Sequence, residues 1–252
     1  MKQDVNRLNH TIRIMAQTRP DTVAIQQDSR CISYAQLYKN INQIAHYMLE
    51  EGLEKGDRVG IVSENNPDIL ILTLAALRIG VVLCLFNSRL GPNDLTYVVN
   101  QSDARWLFVG ESARQAVVVS LPNLSPSLKL LSISGLEEGA WQIFSTSCYQ
   151  RCTDKDPKHK AVSNDDIVHF NTSGTTDLPK AVVHNWRSLN ASFKINRDTR
   201  KDRNIDTSHS VILVASPLCA TSGFRQAMEV LSKGYTLILH KAFEPEKIYR
   251  DI

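Results

Sequence analysis

The sequence predicts an α/β fold of mostly parallel sheets flanked by helices. Short apolar runs rich in β-branched residues alternate with stretches whose apolar residues recur every three to four positions. Helix start and stop signals fall between those runs. The composition, 42% hydrophobic and 22% charged over 252 residues, suits a chain with a substantial buried core. Residues 1–164 read as a first α/β subdomain and 165–252 as the start of a second, incomplete one.

Ser33 and Gln36 have the spacing of a capping box, ahead of a helix with Leu37, Ile41, Ile44, Ala45 and Met48 on one face and Gly52 after its end. A strand over 58–62 follows. Asn66 then caps a helix with Pro67 at its first position and Gly80 beyond its last. A strand at 81–86, a helix near 93–100 and strands at 106–109 and 128–133 complete the first set. Residues 134–164 lack periodicity and read as a long connection. The second set comprises strands at 167–171 and 181–184, a helix from Ser188, a strand at 211–215, a helix near 224–231 and a strand at 236–239. Glu244-Pro245 opens a helix that meets the last residue, Ile252, about two turns later with no capping residue, which reads as a cut through a fold.

Several function classes are excluded or disfavoured. A net charge of +3, from 29 basic and 26 acidic residues mixed along the chain, points to neither nucleic acid nor an anionic membrane. The apolar stretch 69–86 contains Thr73, Arg78 and Gly80, which suits a buried helix, a turn and a buried strand better than a membrane span. Five scattered cysteines suggest no disulfide framework and point to a reducing cytoplasm. Cys148 and Cys152, with His159 and His169 further on, match no tight zinc spacing, so no metal site is expected. Cys219 lacks a recognisable base partner for nucleophilic work.

The strongest local signal is the run Asn171-Thr172-Ser173-Gly174-Thr175-Thr176-Asp177-Leu178-Pro179-Lys180 between two apolar β-type segments. Gly174 lets backbone N–H groups approach an anion, the hydroxyls add donors, and Lys180 supplies a point charge. The run is not a P-loop, because the Gly-x4-Gly-Lys spacing is missing and a strand rather than a helix follows. On chemistry alone, a phosphate-binding loop and a hydroxyl-rich turn both remain open.

Thr172-Ser173-Gly174-Thr175-Thr176-x-Leu178-Pro179-Lys180 resembles the signature loop of the AMP-forming acyl-adenylating ligases, which include acyl-CoA synthetases. Three further stretches agree: Pro20 to Ile25 with Ser33-Tyr34-x2-Leu37, then Gly52-Leu53-x2-Gly56-Asp57-Arg58-Val59, then Leu77-x2-Gly80 followed by Asn87-x-Arg89-Leu90. The resemblance implies the first subdomain and the start of the second of an adenylating-enzyme N-terminal domain. It implies ATP-dependent activation of a small carboxylic acid as acyl-adenylate, with Mg²⁺, and acyl transfer to coenzyme A. Phosphate binding is carried onto Thr172, Ser173, Gly174, Thr175, Thr176 and Lys180, and the acyl/adenylate pocket onto Cys219, Ala220 and Gly223.

The chain departs from the family pattern at Asp177 (usually glycine), Ala181 (glycine) and Trp186 (histidine). It also has Cys219-Ala220 where relatives carry an aromatic residue and a histidine. The resemblance places the adenine and ribose contacts and the catalytic lysine beyond the point matching Ile252, so these residues alone are expected not to complete the reaction. A non-catalytic remnant or interaction module with weak nucleotide binding is the alternative reading. An uncovered strand edge is expected to drive self-association into a homo-oligomer. The charge at Asp177 gives a direct test. A carboxylate about 6 Å from a phosphate costs roughly 1 to 3 kcal/mol, so Asp177→Gly should tighten ATP more than AMP in calorimetric titrations. Equal changes for both nucleotides would show that Asp177 points away from the phosphates.

Overall fold

Period-two alternation along the strands divides the protein into two apolar layers. On β3 (Arg58–Val62), Val59 and Ile61 join one cluster and Val62 the other; on β4 (Val82–Phe86), Leu83 and Leu85 oppose Cys84 and Phe86. The same split occurs on β5 (Trp106–Val109), where Trp106 and Phe108 oppose Leu107 and Val109. This computed structural model describes residues 7–133, 141–144, 146–150, 152–157, 165–171, 179–188, 191 and 210–251.

Among the described residues, β3, β4 and β5 form the middle of a seven-stranded sheet. It is completed by β6 (Lys129–Ser132), β7 (Gln142–Ile143), β8 (Asp166–Asn171) and β9 (Ala181–Asn185), in the order β7-β6-β5-β3-β4-β8-β9. Every pairing in it is parallel except β8 with β9. A second, four-stranded sheet runs β10 (Val211–Val214), β11 (Thr236–Leu239), β1 (Val23–Gln27), β2 (Arg30–Ser33). Sheet membership therefore does not follow the expected division at 164/165. β8 and β9 extend the first sheet, and β10 and β11 pair with the N-terminal strands. Local patterns identify strands, but their partners are chosen by packing over long separations.

The helices are set by their ends. α2 (Tyr34–Glu50) starts with the expected capping box between Ser33 and Gln36. α3 (Pro67–Ile79) starts where Asn66 Oδ1 accepts from Ile69 N at 3.0 Å and stops at Gly80, whose φ of +79° favours glycine. α3 is buried on nearly every side because it touches α2, β1 of the small sheet and β4 of the large one. That explains an apolar run of membrane-like density. No helix among the described residues is long and apolar enough to cross a membrane. α4 (Pro92–Gln101) and α5 (Arg114–Ser120) cover the other face of the large sheet.

α1 (Arg7–Thr18) has no sequence cap signal and was not expected; Leu8 and Ile12 bury it against α2 and α7 (Thr221–Ser232). The long connection contains β7 and the short α6 (Thr146–Tyr149), and the polar face of α2 holds it down. Asn42 donates to Asp154 O at 2.7 Å, and Gln43 donates to Gln150 O and Cys152 O at 3.0 and 3.1 Å. From α3, the buried Arg78 pairs with Asp156 at 2.9 Å and hydrogen-bonds Asn42. Burial pulls its guanidinium below the usual value, and Asp156 opposes that. The expected helix from Ser188 lies largely outside the described residues, and α8 (Pro245–Asp251) closes the chain.

Gly60 marks the tightest point of the large sheet: a Cβ there would lie 2.8 Å from both Leu107 Cδ1 and Phe86 Cε2. Gly60→Ala should cost about 1 to 3 kcal/mol by overpacking, measured by denaturant unfolding; an unchanged midpoint would show that the two side chains can withdraw.

Candidate functional site

The parallel strands of both sheets send their C-terminal ends into loops that share one edge, the place where open α/β sheets bind ligands. From the large sheet come the turn 63–66 after β3, Asn87 to Leu90 after β4 and Gly110 after β5. From the small sheet come Ser216 to Ala220 after β10 and His240 after β11.

The glycine- and hydroxyl-rich loop sits between β8 and β9. Thr172, Ser173, Gly174, Thr175 and Thr176 lie outside the described residues, as does Asp177. Its frame is described: Asn171 pairs with Ala181 in the antiparallel β8–β9 register, so the loop's two ends are held side by side at the C-terminal end of β8. Lys180, the last residue before β9, is exposed there. The strand expected after the loop is β9.

Behind the hairpin, Phe170 stacks edge-on against His184 at 5.5 Å and against Phe224 of α7 at 5.4 Å. His184 thus packs as an aromatic ring on the strand. Trp186 is 1% exposed, and its indole N–H has no hydrogen-bond partner among the described residues.

Cys219, Ala220 and Gly223 come together at the β10–α7 junction. Ala220 N donates to Pro217 O at 3.0 Å, and Ala220 occupies the N-cap position of α7 without a side-chain cap. A Cβ at Gly223 would collide with the carbonyl oxygens of Ser216 and Pro217, so glycine lets α7 sit directly on the loop. Cys219 is partly buried; burial pushes its thiol up, and the nearby Arg89 charge only partly offsets this. A thiol held neutral is a poor nucleophile.

Sequence reasoning missed the turn that joins these parts. Asn65, 3% exposed, donates from Nδ2 to Ser216 O and to His240 O, each at 3.0 Å, and accepts from Leu218 N at 2.7 Å. Its own carbonyl accepts from Gln27 Nε2 at 3.0 Å. Beside it, Glu64 bonds the Ser112 hydroxyl and pairs with Lys241 at 3.3 Å. Burial would raise its carboxyl, but Ser112 and Lys241 outweigh that and hold it below the usual carboxylate range. The available signal was polar Glu-Asn-Asn at a strand end, which a cap at Asn66 explains only in part.

No three His, Cys, Asp or Glu side chains among the described residues converge on a possible metal site. Cys148 donates to Ile143 O and Cys152 to the Glu50 carboxylate; His169 lies on β8, and His159 falls outside the described residues.

The profile of the AMP-binding enzyme family matches residues 12–252. A 3-oxocholest-4-en-26-oate–CoA ligase of Rhodococcus rhodochrous is 32% identical over 67% of this chain and 30% of its own length. The fatty acid–[acyl-carrier-protein] ligase ScoC of Streptomyces coeruleorubidus is 29% identical over 94% of this chain and 44% of its own length. The chain thus spans less than half of each. The N-terminal domain of FACL13 from Mycobacterium tuberculosis superposes with a TM-score of 0.80 at 21% identity, covering 96% of this chain and 59% of that one.

His169 makes the β8 frame sensitive to acid. Its Nε2 is buried without a hydrogen-bond partner among the described residues, and burial, helped by Arg58, lowers its pKa from the ordinary 6.5. The fold favours neutral imidazole, so stability is complete above about pH 6.5 and falls as the unfolded chain takes up its proton below that. Urea midpoints between pH 7.5 and 5 should fall more steeply for the native chain than for His169→Leu; parallel slopes would refute this.

Proposed function

The chain belongs to the AMP-binding enzyme family, and from that premise we propose that it carries the phosphate-binding half of an ATP-dependent acid-activating site of the acyl-CoA ligase type. The observation that carries this reading is the β8–β9 frame, which closes a glycine- and hydroxyl-rich loop at the C-terminal strand edge with Lys180 exposed beside it.

ATP with Mg²⁺ would supply an activated α-phosphorus and the charge to offset the polyphosphate. In this reading Thr172, Ser173, Gly174, Thr175 and Thr176 offer hydroxyl and backbone donors to the β- and γ-phosphates, and Lys180 adds a fixed positive charge. Pro179 pre-shapes the loop exit. The described residues supply no carboxylate cluster for the metal, so no step is assigned to it. In this reading the acid's carboxylate displaces pyrophosphate from the α-phosphorus of ATP to give the acyl-adenylate, and the coenzyme A thiol, losing its proton, takes the acyl group with release of AMP.

Cys219 and Ala220 line the acyl side. Both are smaller than an aromatic–histidine pair, which leaves room for a bulky apolar acid, in keeping with the steroid and fatty acids in the relatives' names. All five cysteines are free thiols, which favours a reducing cytoplasm. Exposed Val182 and Val183 on β9 and Val211 on β10 support self-association along a sheet edge. A non-catalytic nucleotide-binding module is the second reading, favoured by the carboxylate of Asp177 within the loop.

Calorimetric titration of Mg·ATP tests the reading. Removing a charged hydrogen-bond donor typically costs about 1.5 to 3 kcal/mol, so Lys180→Ala should weaken binding roughly 10- to 100-fold. Equal affinity in native and variant chains would overturn the assignment.

A further inference from the structure

Three main-chain groups from two loops converge where the C-terminal edges of the two sheets meet, and neither sheet's ladder reaches across. Ser216 and His240 present carbonyl oxygens, and Leu218 presents an N–H. The side-chain amide of Asn65 answers all three, with two donors and one acceptor on a single planar group. At 3% exposure, water cannot replace it. Aspartate would lose both donors, and leucine or alanine all three bonds.

We infer that Asn65 is the positioning residue of the Ser216–Ala220 loop, setting Cys219 and Ala220 at a fixed place relative to the phosphate-binding hairpin. The inference rests on the ligase reading for the meaning of that loop. The connection is traceable bond by bond. The hairpin strand β8 pairs with β4, β4 pairs with β3, β3 runs into the turn that contains Asn65, and Asn65 binds Leu218 N. On the far side, α7 grips the same loop through Gly223. The phosphate loop hangs from β8 and β9, which Asn65 does not bond. Loss of the amide should therefore release one half of the site and leave the other in place.

The test uses the 252-residue chain with Asn65→Ala and the isosteric Asn65→Asp, so that a folding failure in one leaves the other readable. Alkylation of Cys219 by N-ethylmaleimide, resolved by mass spectrometry, reports loop position. Cys84, 1% exposed on β4, reports the core. With two hydrogen bonds released in Asn65→Asp and three in Asn65→Ala, Cys219 should react at least about tenfold faster while Cys84 is unchanged. Affinity for decanoate, an acid probe that needs no adenine or ribose contact, should fall at least about tenfold, with Mg·pyrophosphate affinity kept within about twofold. A purely structural role would not separate the two ligands. An unchanged Cys219 rate, a rise of Cys219 and Cys84 in step, or an equal loss of both ligands would overturn the positioning role. A native chain that binds neither ligand would instead overturn the ligase reading and, with it, the functional meaning of the loop.

Discussion

Two sheets that meet at one edge without a common β ladder need another contact to fix their relation there, and here a buried amide supplies it. Asn65 makes three hydrogen bonds to main-chain groups of the second sheet's loops from a turn of the first. Leaving any of those buried groups unmatched costs about 1 to 3 kcal/mol. The apolar layers between the sheets press them together but are tolerant of small slides. The amide is directional, and direction is what a site assembled from both sheets requires. Glu64 and Gln27, bonded around the same turn, limit its freedom further.

The relation between packing and charge follows the same division. α3 buries its surface between α2 and the two sheets, leaving one cation, Arg78, within the layer. That cation is reached by Asp156 of the long connection, while α2 supplies the amides of Asn42 and Gln43 to the carbonyls around it. A segment without periodicity is thus tied down by polar groups on the helices. Strand pairing contributes little there: β7 is two residues long.

Much of this was legible locally. The capping box at Ser33, the Asn66–Pro67 start and the Gly80 stop are steric and hydrogen-bonding signals contained within a few residues, and each occurs where expected. Strand identity was equally local; β3, β5 and β11 have the expected limits. Sheet membership was hidden, because nothing within β1 states that its partner is β11. In the site, the loop sequence and Gly223 are visible as chemistry, and Lys180 as a charge. Asn65 was masked by its neighbour: Asn66 accounts for a helix cap, and a second asparagine beside it carries no periodic signature. Its role depends on three groups more than 150 residues away.

The pairing of the first strand with one of the last also governs how the chain folds during synthesis. Thr236 bonds Val23 across 213 residues, and Tyr34 donates to Tyr235 O across 201. At ribosomal rates of about 5 to 20 residues per second, the β1–β2 hairpin waits roughly 10 to 40 s for β11 to emerge. Through that interval its outer strand presents an open ladder and the apolar faces of Ala24 and Ile25. The large sheet, with β3, β4 and β5 closely spaced along the chain, can form first. The small sheet is therefore the late step, and the nascent hairpin is the segment for which a holding chaperone would compete.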